Sequence, residues 1–129
     1  MKRTALRAAP VLAVVAVAGA VVAGSPATAK TTLRIRAVEG KGDALHFSKS
    51  KLRTTGGKVT IVMRNPKGND LPHAVEVEGR GVEEEGKVVR AGGTSRVTVR
   101  LKAGRSYEFY CPVGDHEDRG MRGKLVVGG

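Results

Sequence analysis

Tyr107-Glu-Phe-Tyr-Cys-Pro-Val-Gly-Asp-His-Glu-Asp-Arg-Gly-Met-Arg-Gly-Lys-Leu-Val-Val127 is the stretch on which the rest of the chain turns. Its first five residues alternate, as a half-buried strand does, and Lys124 to Val127 read as a second strand. Between Cys111 and Met121 lie nine residues, and Cys111, His116 and Met121 fall five apart. A loop of that length can fold three side chains around one point, with Gly114, Gly120 and Gly123 permitting tight turns. A further histidine, His73, stands upstream in Leu71-Pro72-His73-Ala74-Val75, at the start of an alternating segment where Pro72 restricts the backbone before it.

A thiolate, two imidazoles and a thioether are the donor set of a mononuclear blue-copper centre. A copper ion that changes oxidation state needs donors acceptable to both states, and this set provides them in one compromise geometry. Taken singly, each residue has a plainer reading: a buried Cys as a small hydrophobe, Met121 as core filler, a lone His as surface or satisfied core. The composition argues against that sum of coincidences. Cys111 is the only cysteine and there are only three histidines, so no internal disulfide and no four-thiolate zinc site is available. His46, between Leu45 and Phe47, reads as a surface histidine, and Met63 as core packing.

Working outward, the same period of two recurs in Thr32–Val38, Val59–Met63, His73–Val77 and Val97–Leu101, with Ala44–Phe47 and Lys87–Arg90 as shorter strands. In the first, Leu33, Ile35 and Ala37 oppose Arg34 and Arg36. Helical stripes are lacking beyond residue 30, and Gly-rich turns separate the segments. This predicts an all-β Greek-key sandwich or barrel of about seven to eight strands. Leu101, Gly104 and Tyr107 have the spacing of a tyrosine corner, with a surface turn as the alternative. The triplet Glu83-Glu84-Glu85 reads as a solvated loop.

At the N-terminus Lys2, Arg3 and Arg7 precede the apolar run Val11–Ala23, and Ala27-Thr28-Ala29 is a small-residue cleavage site. Residues 1–29 are therefore expected to be a cleavable export signal, with residues 30–129 as one domain outside the cytoplasmic membrane. The apolar run of 13 residues is shorter than the roughly 20 of a spanning helix, so no stable membrane insertion is expected after cleavage. The chain carries 23 Lys and Arg against 12 Asp and Glu; without Lys2, Arg3 and Arg7 the balance is 20 against 12, a net +8. That charge permits attraction to nucleic acid or an anionic envelope. The cations alternate with apolar residues and only four aromatic residues are present, which argues against nucleic-acid readout.

The segment 107–127, together with Val59-Thr60-Ile61-Val62-Met63-Arg64-Asn65 and Leu71-Pro72-His73, resembles the small blue-copper proteins of the plastocyanin/azurin family, the cupredoxins. The resemblance implies one copper ion per chain, with His73, Cys111 and His116 as the trigonal set and Met121 as the axial ligand. The loop spacing is nearer to sulfocyanin-like and azurin-like loops than to the shorter plastocyanin loop. It implies a monomeric one-electron carrier, not an enzyme, exchanging electrons with redox partner proteins through the edge of His116. Pro112, Val113, Gly114 and Leu71 would form the docking face, and Asp115, Glu117 and Asp118 an acidic collar. One departure is Ala74, where many relatives have an Asn that ties the ligand loops together; the Ala74 N–H remains able to donate to the thiolate, and Asn65 or Asn69 is the substitute brace. An exported copper chaperone or scavenger and a metal-free sandwich module are the rival readings. Three histidines cannot furnish a blue site and a second catalytic copper cluster, which argues against an oxidase or nitrite reductase.

Overall fold

The computed structural model describes Gly19 and residues 30–129. Apart from Gly19, the expected export signal lies outside the described residues. The domain has nine strands, one more than the upper expectation: β1 (Thr31–Glu39), β2 (Leu45–Phe47), β3 (Lys51–Thr54), β4 (Gly57–Arg64), β5 (Glu76–Gly79), β6 (Val82–Glu85), β7 (Thr94–Leu101), β8 (Ser106–Tyr110) and β9 (Arg122–Val127). They form a four-stranded sheet, β2-β1-β4-β7, and a five-stranded sheet, β3-β9-β8-β5-β6. The chain changes sheets at five of its eight connections, giving the Greek-key sandwich. Among the described residues, no helix is long and apolar enough to cross a membrane.

Alternation makes the core. Val97, Val99 and Leu101 face inward from β7 while Arg96, Thr98 and Arg100 face out, and β4 opposes Val59, Ile61 and Met63 to them across the ladder pairs Ile61–Val97 and Val59–Val99. From the other sheet come Val77, Tyr107, Phe109, Leu125 and Val127. Phe47 and Phe109 meet with ring centroids 5.5 Å apart at 40°. The tyrosine corner is present at the β7–β8 arch: the buried Tyr107 hydroxyl accepts the Lys102 N–H at 3.1 Å.

Three expectations need correction. Glu83-Glu84-Glu85 is not a loop but most of β6, the edge strand of the larger sheet, paired with β5 through its backbone while all three side chains stay exposed. Strand β5 begins at Glu76 rather than His73, and the expected strand Lys87–Arg90 reduces to one bridge between His73 and Val89. Both segments are crossing between the sheets, so no strand runs alongside them for long. The unforeseen β3 buries only Leu52, too little apolar pattern to read.

Candidate metal centre

Strands β1, β4 and β8 end at the same end of the sandwich, where β7 and β9 begin. The connections there carry the donors. His73 lies in the β4–β5 crossing, its backbone held by two hydrogen bonds with Val89, 3.0 Å to the carbonyl and 2.9 Å from the N–H. Cys111 directly follows β8, and its N–H donates to the Met121 carbonyl at 3.0 Å, closing the loop at its base. The Met121 N–H donates to the His116 carbonyl at 3.1 Å, and the His116 N–H to the Val113 carbonyl at 3.0 Å. Gly114 and Gly120 have φ of 48° and 110°, so both make turns an L side chain resists. Gly123 does not serve as a turn; it lies within β9, opposite Phe109.

His73, Cys111 and His116 converge. Their donor atoms all lie within 4.8 Å of one another, and all three residues are buried. The thiol Sγ is 3.9 Å from His73 Nδ1 and 3.5 Å from His116 Nδ1. Such separations suit two donors sharing one ion with bonds of about 2.0–2.3 Å. Met121 is fully buried beside them and His116 is 6% exposed, so one imidazole edge reaches the surface. His46 is exposed and takes no part, and Met63 is core, as expected.

The expected Ala74 N–H donates to Cys111 Sγ at 3.5 Å. Asn65 and Asn69 do brace the site, though by a different route from an Asn at position 74. Buried Asn65 donates to the carbonyls of Leu71 and Val89 at 2.9 and 3.0 Å and accepts from Asn69 at 2.8 Å, while Asn69 also donates to the Ala37 carbonyl at 3.1 Å. This network pins the His73 loop to β1 instead of joining the two ligand loops.

The residue that sequence reasoning missed is Glu39. Its carboxylate lies 3.1 Å from His73 Nε2 and accepts the N–H groups of Asp70 and Leu71 at 2.9 and 2.8 Å. The signal was available: Glu39 shares the parity of Ile35 and Ala37, so β1 aims a carboxylate inward. With Nε2–H directed at Glu39, the Nδ1 lone pair faces the thiol, which fixes the tautomer a metal ligand needs.

Electrostatics favour neutral imidazoles. Burial pushes His73 below its usual value, only partly offset by Glu39, and burial does the same to His116, helped by His73 and Arg119. Burial alone would raise Glu39, but the two backbone N–H groups and His73 together hold it below the usual carboxylate range. Burial raises the Cys111 thiol against the pull of the Ala74 and Val113 N–H groups. A soft, desolvated thiol beside two unprotonated imidazoles is a donor set that a bound cation would ionise and bind through the thiolate.

The comparisons agree with this chemistry. The fold matches auracyanin A, a "blue" copper protein from the green thermophilic photosynthetic bacterium Chloroflexus aurantiacus, at 21% identity and TM-score 0.60, covering 77% of this chain and 99% of that one. It matches reduced auracyanin from Roseiflexus castenholzii at 20% identity and TM-score 0.60, over 76% and 97% of the two chains. Copper nitrite reductase from Nitrosomonas europaea matches at 22% identity and TM-score 0.64, over 78% of this chain but only 42% of the reductase. No curated protein sequence matches the chain. The family model for copper-binding proteins of the plastocyanin/azurin type matches residues 35–128. That match takes in both halves of the site and nearly all of the sandwich, and the His73, Cys111 and His116 cluster fits one type 1 copper ion. The chain therefore belongs to the plastocyanin/azurin family of copper-binding proteins.

Proposed function

We propose that this copper protein is an exported, monomeric one-electron carrier, not an enzyme, with His73, Cys111 and His116 as trigonal ligands and Met121 as the axial ligand. The observation that carries the reading is the convergence of three buried donors on one point at the end of a rigid sandwich. Bound copper would supply a one-electron couple there. The chain's own residues keep the cost of each transfer low: Ala74 N–H holds the sulfur, Glu39 holds the His73 ring, and the Asn65–Asn69 network holds the loop, so little has to move between states. Burial of all three donors excludes water and supports a retained ion over a delivered one.

The partly exposed His116 edge is the proposed exit for the electron, with half-buried Leu71, Pro112 and Val113 and exposed Gly114 as the docking rim for a redox partner. The acidic collar is weaker than its sequence suggests, because Arg119 lies 3.7 Å from Asp115 and 4.0 Å from Asp43. Export rests on the basic, apolar and small-residue pattern of residues 1–29.

The test is the visible spectrum of residues 30–129 reconstituted with Cu(II), beside Cys111→Ser and Met121→Leu. An intense thiolate-to-copper band is expected, absent in the serine variant, shifted in the leucine variant, and bleached and restored by successive reduction and oxidation. A colourless wild-type protein would overturn the ligand assignment; a coloured one that cannot be re-oxidised would overturn the carrier role.

A further inference from the structure

The outward face of β1, β4 and β7 has twelve positions, and they hold Arg34, Arg36, Lys58, Arg64, Arg96 and Arg100, four threonines, two valines and no carboxylate. Register places these cations in rows across the sheet. Arg36 stands opposite Arg64, Lys58 opposite Arg100, and Arg34 and Arg96 flank Val62 on either side. Val62 is only 7% exposed although it points outward, because arginine stems beside it cover it. Among the described residues none of the six makes an ion pair; the pairs present involve only His73 and Arg119 as cationic partners. Like charges set directly opposite one another in a ladder destabilise a sheet. The fold gains nothing from this arrangement.

The opposite outer face is mixed: Lys51, Arg53, Arg122 and Lys124 lie on its β3-β9 side, and its β5-β6-β8 side is acidic. Ladder pairs Glu76–Glu85, Glu78–Glu83 and Glu78–Glu108 gather five carboxylates on β5, β6 and β8. Burial and then the neighbouring glutamates raise Glu76, against the hydrogen bond from Tyr110. The sandwich is thus a plate with one cationic side and an acidic edge on the other, and an external field would orient it.

We propose that the β1-β4-β7 face docks the protein on an anionic lipid bilayer surface. The cationic sheet is some 8 residues long and three strands wide, about 25 by 10 Å at strand spacings. It offers no aromatic or large exposed apolar anchor of the kind that carries a stable protein interface; among the described residues the one exposed large hydrophobic, Val88, lies outside its strands. Dispersed attraction to many headgroups needs no such anchor. At the β1 margin a shallow cavity of about 330 Å³ is lined by Arg34, Ile35, Arg36, Ser48 and Lys49, room for an anionic headgroup. Strand β1 begins at Thr31, separated by one residue, Lys30, from the end of the expected export signal at Ala29, so the domain would emerge at the membrane through the strand that carries Arg34 and Arg36. Docked this way, the acidic edge faces away, and the ligand loops at the sandwich end stay open at the side.

The test is co-sedimentation of the domain of residues 30–129 with vesicles. Among the described residues, that domain contains all nine strands and the whole hydrophobic core, enough to fold on its own. Binding is expected to phosphatidylglycerol/phosphatidylcholine vesicles and not to pure phosphatidylcholine, weakening steeply with added salt. Arg64→Glu with Arg100→Glu should weaken it by roughly thirtyfold or more. Lys51→Glu with Lys124→Glu, the same change of net charge on the other sheet, should leave it nearly intact, and the copper band serves as the fold check for both. Equal loss in the two variants would mean net charge alone is responsible and would overturn the face. Failure to bind anionic vesicles, or tighter binding to duplex DNA or to an acidic protein than to vesicles, would overturn the lipid surface. Copper binding and electron transfer are unaffected by either result, so this proposal fails or stands separately from the carrier role.

Discussion

Glu39 shows how one side chain can set a metal site that it does not enter. Its carboxylate sits behind His73, so its negative charge would lie near a copper ion held by His73 and would favour the more highly charged cupric state. Glu39→Gln keeps the length but loses the charge. Copper affinity should fall by about 10–100-fold, and the reduction potential should rise. Competition against a chelator and voltammetry of the same sample read the two effects. A loop that had merely loosened would lower affinity without a consistent rise in potential. A residue-scale counterpart is Tyr107→Phe, which removes the acceptor for the Lys102 N–H and should cost about 1 kcal/mol by denaturant unfolding, with the copper spectrum unchanged.

At the scale of elements, close approach decides what may be substituted. Phe109 packs on Gly123 across the β8–β9 ladder; a Cβ at 123 would overlap the Cζ–Cε1 edge of the ring and lie 2.6 Å from the Ser50 carbonyl oxygen. Gly123→Ala should destabilise by roughly 1–3 kcal/mol, since the strand cannot shift without disturbing β3, which pairs with β9 on the other side. A denaturant midpoint unchanged from wild type would show that β3 yields. The long strands were legible because their inward residues repeat at period two over seven or more positions, as in β1, β4 and β7. Of the shorter elements, β2, β8 and β9 were also legible, but two were not: β3 has one buried residue, and β6 has three exposed glutamates whose only strand property is backbone pairing at an edge. His73 was legible as a donor but not as a bridge residue, because its partner Val89 is set by how two crossings pass, which no local pattern encodes. Three donors were likewise readable from spacing, whereas Glu39 required knowing that β1 ends beside the β4–β5 crossing.

Considered whole, the molecule brings its donors from two separate connections onto one end, and protein hydrogen bonds alone hold their backbones there. Of the nineteen core residues all but Cys111 and Met121 lie outside the proposed ligand set, so removing copper should leave the sandwich folded while lowering its melting temperature. The loss would be about 4 kcal/mol if free copper stood at a thousand times its dissociation constant. The metal-free form should also carry a distinct pH signature. His73 and His116 lie below their ordinary value of 6.5 when folded, so as pH drops past 6.5 the unfolded chain takes up protons first and stability falls. The Cys111 thiol lies above its ordinary 9.0, so as pH rises past 9.0 the unfolded chain ionises first and stability falls again. Between those values stability should be nearly flat. Denaturant midpoints measured across the range, with and without copper, check both limbs. Copper should abolish the alkaline loss between pH 9.0 and 10.0, because a bound thiolate would already be ionised, while the loss above 10.0 should persist, because burial and then Glu76 and Glu78 also raise Tyr110; it should steepen the acid limb, because protons then displace the metal from its imidazoles. A loss between pH 9.0 and 10.0 that persisted in the copper form would mean Cys111 is not the group responsible.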